Sequence, residues 1–327
     1  MPIRWGICST GKIAETFAAA LNSVDESICA AVSSRSLEKA EKFAGKYGFE
    51  KAFGSLEEML SDGNIDIVYI ASPMACHYEH AKTAILAGVN VLCEKSVTLN
   101  GEQLSELLAL AKTKRVFFME AMWMKCRPSF LKAMEWIKDG RIGNVQMVKA
   151  DFCNSVAFDE NDRLFIPELG GGCLLDLAVY PFTLVEAVFG GKPDNITSKA
   201  RMGKTGVDFD MAAILEYESG FAAVTAGFDA QCGNNAAIIG DKGHIELGNW
   251  LFCTCDAVLF DENNAVVENF HQDNLCNGYE YEIMEANRCL SAGLPESPLV
   301  PHAGTVNVME MMDECRKQWK FRFPEEM

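Results

Sequence analysis

From Ile3 to about Met119, short apolar runs alternate with segments of helical period. This is the pattern of a parallel sheet whose strands are joined by crossover helices, and it excludes most other folds. Ile3–Cys8 reads as the first strand, and Ile13, Phe17 and Leu21 then fall four apart, on one face of an amphipathic helix lying on that sheet. A second buried strand covers 28–33, after which Ser36 caps a helix with the apolar face Leu37, Ala40, Phe43 and Tyr47, stopped at Gly48. Ser55 and Glu58 have capping-box spacing before a short helix. A strand over 65–71, a helix over 77–87, a strand over 89–93, a helix over 101–113 and a strand over 116–119 continue the alternation.

After about Trp123 the rhythm changes. A helix over 129–139, a strand over 145–152 and a helix over 174–189 are followed by strand-like stretches at 211–217, 221–228, 236–239 and 257–260, with Gly or Asn turns between them. Successive strands of this kind predict a largely antiparallel sheet in an α+β second half. Helices over 279–292 and 302–319 close the chain. A length of 327 residues suits two domains of roughly 150, with the expected division at 1–122 and 123–327.

Charge and cysteine usage narrow the partners. Forty-six acidic against 29 basic residues give a net charge of −17, a field that repels nucleic acid and anionic lipid. Uninterrupted apolar runs such as 17–21 and 67–71 reach five residues, against roughly 20 for a bilayer span. Neither a nucleic-acid partner nor a membrane is expected. The N-terminus enters a strand without the basic and apolar regions of a secretory signal, and the thirteen cysteines are odd in number and scattered, so reduced thiols and a cytoplasmic location are expected. Cys253 and Cys255 lack a second pair, and His77 and His80 lack a third ligand, so no metal site is expected.

The turn between the first strand and first helix carries the clearest chemistry. Ser9, Gly11 and Ala14 occupy the three positions of the dinucleotide fingerprint Gly-x-Gly-x-x-Gly/Ala, with serine at the first. Gly11 would let the backbone approach a pyrophosphate, Ala14 would allow close helix packing, and the helix start supplies N–H groups to the anion. Ser9, Thr10, Gly11, Lys12 and Ile13 are therefore the expected cofactor contacts, a plain strand-to-helix turn being the alternative. Beyond the second strand, where an NAD site expects a carboxylate, the chain has Ser33-Ser34-Arg35-Ser36. Ser34 and Arg35 suit a 2′-phosphate, which predicts NADP(H) over NAD(H). Arg35 as a solvated residue before a capped helix is the plainer alternative.

Further motifs add a family likeness. Cys93-Glu94-Lys95-Ser96 resembles the Glu-Lys-Pro motif of the glucose-fructose oxidoreductase and inositol dehydrogenase superfamily (Gfo/Idh/MocA), and the stretch 170–182 resembles its second-domain helix. The stretches 119–128, 167–172, 205–208 and 296–302 look most like the branch containing dimeric dihydrodiol dehydrogenases. The resemblance implies an α/β protein: an N-terminal doubly wound Rossmann sheet, then a C-terminal α+β domain on an open, mostly antiparallel sheet. It also implies NADP-dependent alcohol or aldehyde chemistry on a small molecule, and a homodimer or higher homo-oligomer formed through the C-terminal sheet. Three positions depart from the family: Ser9 for glycine, Ser96 for proline, and Lys125 where arginine is frequent. The proline often follows a cis bond, and with Ser96 in its place the sequence leaves cis or trans open.

With the resemblance in hand, Lys95, Asp176 and Tyr180 become the expected catalytic set. Asp176 and Tyr180 are four apart, on one face of an α-helix. Moving hydride to or from a carbinol carbon needs an acid/base for the oxygen, a role for Tyr180. A free phenol ionises near pH 10, so it needs a cation beside it, which Lys95 at a strand end would supply while Asp176 orients lysine or substrate. Ser72, Pro73 and Glu94, at strand C-terminal ends that face the crevice, join the cofactor set, and the family likeness adds His77 beside the nicotinamide. Trp123, Arg127 and Tyr180 are expected to line the substrate pocket; for Trp123 an interface aromatic and for Arg127 a salt-bridged residue are the alternatives. The function expected is hydride transfer to or from a carbohydrate, polyol or trans-dihydrodiol, against a redox-silent NADP- or sugar-sensing protein on the same fold. An inositol-type enzyme using NAD ranks lower, because the second-strand carboxylate is missing.

Overall fold

In the computed structural model, which describes residues 1–326, strand β1 (Ile3–Cys8) lies inside a six-stranded parallel sheet of order β3-β2-β1-β4-β5-β6. The other strands are β2 (Ser27–Ser33), β3 (Lys51–Phe53), β4 (Ile67–Ile70), β5 (Asn90–Glu94) and β6 (Phe118–Ala121). This is the doubly wound order, and it reverses between β1 and β4, where such sheets open a crevice at their strand C-terminal ends. Helices α1 (Lys12–Leu21), α2 (Leu37–Tyr47), α3 (Leu56–Ser61), α4 (His77–Leu86) and α5 (Gly101–Lys114) make the crossovers. The caps form as the sequence predicts: Ser36 accepts from the N–H of Lys39, Gly48 closes α2 at φ 78°, and Ser55 accepts from the N–H of Glu58. Alternation of apolar strands and capped helices is sufficient here because both faces of a parallel sheet are covered.

The chain divides into two units. The first comprises 1–98, 102–123 and 274–302, the second 99–101, 124–273 and 303–327. The return of 274–302 to the first unit is not signalled by the change of rhythm near residue 122. It brings helix α8 (Glu280–Ser291), whose Asn287 accepts from the buried Trp5 indole at 3.0 Å. It also covers the edge of the sheet: Phe118 in β6 gives its N–H to Pro295 and its carbonyl accepts from His302, so no backbone row is left open at that point.

The second unit is built on an eight-stranded sheet of order β14-β13-β12-β11-β7-β10-β9-β8. These are β7 (Val145–Cys153), β8 (Asn195–Met202), β9 (Asp208–Tyr217), β10 (Gly220–Gly227), β11 (Ala236–Gly240), β12 (Gly243–Leu247), β13 (Asp256–Asp261) and β14 (Val266–His271). All neighbours run antiparallel except β7 and β10. Helices α6 (Pro128–Lys138), α7 (Val179–Phe189) and α9 (His302–Trp319) complete the set, α9 beginning on the last residue of the first unit. The stretch Pro167–Phe189 is long and apolar enough to cross a membrane, yet it is mostly buried in this fold and carries Asp176 and Glu186, as a core helix of a sheet-based unit does.

Candidate active site

In the first unit the expected cofactor residues gather at the strand ends. Gly11 caps α1 without any side-chain hydrogen bond, so the first N–H groups of the helix have no side-chain acceptor at the cap. Its backbone angles are ordinary (φ −77°, ψ 177°), and a Cβ built on it would meet only the Ser9 hydroxyl, at 3.7 Å. Neither conformation nor packing within the protein demands glycine there; the open space suits the close approach of a pyrophosphate. Ala14 is fully buried beneath the turn. Ser9 itself adopts φ 101°, a region that favours glycine, so the serine departure changes the side chain while the glycine-type backbone is kept. Thr10 donates to the Ser34 hydroxyl at 3.4 Å, tying the first turn to the second, and Arg35 is exposed beside it. Lys12 is exposed and Ile13 half-buried.

Beyond β4, Ser72 and Pro73 lead into α4, and the buried His77 ring lies between two carbonyls, Ser96 at 3.0 Å from Nδ1 and Ser72 at 2.9 Å from Nε2. A neutral ring donates to only one of them. Two acceptors favour the imidazolium, yet burial outweighs them and pushes His77 down to about 4. His80 faces the Ser72 hydroxyl at 2.9 Å, so the two histidines serve this turn rather than a common ion. Among the described residues no group of three His, Cys, Asp or Glu side chains is arranged to hold a metal.

Lys95 follows β5 directly, and its peptide bond to Ser96 is cis. Glu94, nearly buried, accepts the N–H of Lys95 at 3.2 Å and the hydroxyl of Tyr69. Burial, then the charge of Glu94, pushes the Tyr69 phenol well up, which keeps it a donor. Glu282 of the return segment is fully buried with neither carboxyl oxygen hydrogen-bonded; burial, then Glu94, raises it well above the carboxylate range. Trp123 is buried and stacked on Tyr279 at 4.3 Å.

In the second unit Asp176 and Tyr180 lie at a junction. The stretch that the sequence reads as one helix over 174–189 is a π-helical turn, Leu174–Ala178, running into α7. Asp176 is in the π turn and Tyr180 in α7, so simple α-helical four-residue spacing does not describe the pair; π turns of this kind recur at functional sites. At the N-terminus of this turn Gly172 (φ 122°) lets the chain close over Asp208, whose carboxylate accepts from the N–H of Leu174 at 2.6 Å and the thiol of Cys173. A side chain on Gly172 would strike that carboxylate at 2.3 Å. Burial lifts Asp208 to about 6 against those hydrogen bonds. Arg163 donates to Asp176 at 3.2 Å. Tyr180 is 5% exposed and packs on Phe152 and Phe252, with ring centroids 5.7 and 4.9 Å away. Arg127 is 1% exposed, donates to the Thr254 carbonyl at 3.3 Å and reaches the Cys255 sulfur. Its side chain thus braces the loop that carries Thr254. Lys125 pairs with Glu186 at 3.7 Å.

Comparison with known proteins assigns the architecture. Residues 3–122 match the oxidoreductase family with an NAD-binding Rossmann fold, and residues 130–246 match the Gfo/Idh/MocA C-terminal domain. The chain belongs to the Gfo/Idh/MocA oxidoreductase family. Trans-1,2-dihydrobenzene-1,2-diol dehydrogenases of Xenopus tropicalis and Danio rerio are 34% and 35% identical to it over 333 and 329 residues, covering 99% and 97% of this chain and 100% and 97% of theirs. Among solved structures, a 3-ketoreductase of Actinomadura kijaniata, in complex with NADP and TDP-benzene, shares the fold at TM-score 0.86 and 22% identity, covering 97% of this chain and 98% of its own. Levoglucosan dehydrogenase, in complex with NADH and levoglucosan, does so at 0.87 and 16%, with the same coverage. This Gfo/Idh/MocA protein is thus an NAD(P)-binding oxidoreductase.

Some residues of these surroundings are absent from the sequence reading. Arg163 lies in a polar loop without periodicity, and nothing local links it to Asp176. Tyr69 reads as one more apolar strand residue, and Glu282 as the polar face of a late helix; only the return of 274–302 makes it interior. The aromatic spacing around Phe152, Trp250 and Phe252 hints at a cluster but carries no chemistry of its own.

Proposed function

We propose that this oxidoreductase moves a hydride between NADP(H) and the alcohol or carbonyl carbon of a carbohydrate, polyol or trans-dihydrodiol, with Tyr180 as acid/base and Lys95 and Asp176 as its partners. The observation that carries the reading is in the first unit: Lys95 leaves the C-terminal end of β5 in the same parallel sheet whose β1–α1 turn keeps the space of a missing Cβ at Gly11. In a doubly wound sheet both features belong to the ligand edge. The identity to trans-1,2-dihydrobenzene-1,2-diol dehydrogenases over the full chain supports the substrate class. Ser34 and Arg35, with no carboxylate after β2, support NADP(H).

The bound nicotinamide would supply or accept the hydride. Tyr180 gives its phenolic proton to the carbonyl oxygen in reduction and takes the hydroxyl proton in oxidation. The ammonium of Lys95 stabilises the phenolate and holds the substrate oxygen, and Asp176, steadied by Arg163, orients them. The turn residues Ser9, Thr10, Gly11, Lys12 and Ile13 bind the pyrophosphate, and Ser72, Pro73, His77 and Glu94 frame the nicotinamide side. Trp123 contributes an apolar wall. Exposed Ile214 and Phe221 on neighbouring strands β9 and β10 support a homodimer through the eight-stranded sheet. Thirteen free thiols support a reducing cytoplasmic setting.

Tyr180→Phe is the test. Turnover falls roughly 100-fold while NADPH affinity is unchanged. Should the wild type oxidise no NADPH across a panel of aldehydes, ketoses and dihydrodiols, the sensing alternative replaces the enzyme. Tighter binding of NADH than of NADPH would remove the cofactor preference alone.

A further inference from the structure

Cys153 ends β7, and Cys232 lies in the loop between β10 and β11. The carboxamide oxygen of Asn234 accepts the backbone N–H of Cys153, at 2.8 Å, and lies 3.0 Å from the sulfur of Cys232. The Gln231 amide donates to the carbonyls of Cys153 and Cys232, at 3.1 and 3.0 Å. The antiparallel pairing that sets Ala236 opposite Ala150 continues through the N–H of Asp151 to the carbonyl of Asn235, so the loop runs back alongside the end of β7. The Cys232 sulfur also lies 2.5 Å from the carboxylate of Asp151, which shares a face of β7 with Cys153. Asn234 is fully buried in the left-handed region (φ 52°), with its amide nitrogen unpartnered. A buried donor left unmade is costly, and what the placement gains is one oxygen shared between two cysteines.

We propose that Cys153 and Cys232 form a redox pair that closes to a disulfide on reaction with a hydroperoxide. Asp151 accepts the thiol hydrogen of Cys232, and the sulfur attacks one peroxide oxygen. The O–O bond breaks, the leaving hydroxide departs as water with that proton, and Cys232 becomes a sulfenic acid. Cys153 then attacks the oxidised sulfur. The S–O bond breaks, a second water leaves with the Cys153 proton, and the S–S bond forms. Two thiols lose two electrons and two protons, and one hydrogen peroxide becomes two waters. Burial first, then Cys232, Asp151 and Asp210, pushes the Cys153 thiol up to about 12, which keeps Cys153 protonated and unsuited to attack the peroxide first. The closed bond ties the loop to the strand whose Phe152 packs on Tyr180; only that consequence for activity rests on the proposed function.

The experiment uses the full chain, hydrogen peroxide in small molar excess, alkylation with N-ethylmaleimide and trypsin. Cleavage after Lys149, Arg163, Lys204 and Lys242 leaves Cys153 alone in peptide 150–163 and Cys232 alone in peptide 205–242. The expected product is these two peptides joined, about 2 Da lighter than their sum and separated again by dithiothreitol. In Cys153→Ser, dimedone labels Cys232. Both peptides still carrying maleimide after peroxide, or either cysteine joined to a different partner, overturns the pair. Dimedone on Cys153 in Cys232→Ser, with none on Cys232 in Cys153→Ser, overturns the assigned roles while leaving the hydride reading untouched.

Discussion

In the first unit the groups proposed for the cofactor are presented by backbone at strand ends, whereas in the second Asp176 and Tyr180 depend on side chains packed around a π turn and an aromatic cluster. The backbone site carries a glycine-type conformation on a serine, Ser9 at φ 101°. The side-chain site depends on its neighbours, Asp208 under the helix start, Arg163 on Asp176 and Phe252 on Tyr180. Recognition of a constant cofactor can rest on peptide geometry, while recognition of a particular substrate rests on packing that varies.

Acid separates the two units most strongly. Folded His77 titrates near 4 against 6.5 when free, so between those values the unfolded chain binds the extra proton and stability falls as pH falls. Asp208 titrates near 6 against 3.8, so over its window the folded chain binds the extra proton and stability rises as pH falls. Each linkage amounts to about 3 kcal/mol. His77→Gln should flatten the loss between pH 6.5 and 4, and Asp208→Asn should steepen it, read from urea unfolding at several pH values. Equal slopes in both variants would erase the contrast.

Gly11→Ala tests the backbone site next. The helix start loses a little from a poorer cap and gains about as much from a stiffer unfolded chain, so the melting temperature should hold within about 2 °C while NADPH affinity drops about 10-fold. Unchanged affinity would mean the space at Gly11 is not used by the cofactor. Arg163→Ala should lower kcat/KM about 5-fold with NADPH affinity intact, since a half-exposed guanidinium holding a carboxylate contributes about 1 kcal/mol. A loss of cofactor affinity instead would move Arg163 to the other class of site. Ser9→Gly should raise stability by about 0.5–1 kcal/mol, because φ 101° strains any residue with a Cβ; a destabilised variant would mean that the hydroxyl is worth more than the strain.

Strands β2, β4 and β5 are legible because burial on both faces leaves unbroken apolar runs, β1 because Arg4 alone interrupts its run, and α2 and α3 because their caps are written as Ser36, Gly48 and Ser55. Strand β3 has three residues on the edge of its sheet, and β8 and β14 are edge strands with mostly exposed side chains, so the alternation that marks a half-buried strand is faint in them. Short β12 was also missed. The parallel β7–β10 pair is a matter of chain routing that local pattern does not encode. For the candidate site, Gly11 announces itself by following a strand, whereas Lys95 takes its role from the family motif. Asp176 and Tyr180 needed the family motif, and their true geometry depends on Asp208, which is 32 positions downstream of Asp176.

The late arrival of Asn287, Pro295 and His302 in the first unit has a consequence for biosynthesis. A ribosome that has released β1 through β6 has not yet made the acceptor for the Trp5 indole or the groups that close the β6 edge. Completion of the amino-terminal unit must therefore wait until the chain has emerged past His302, and a nascent chain halted at residue 122 would present an unfinished sheet to chaperones.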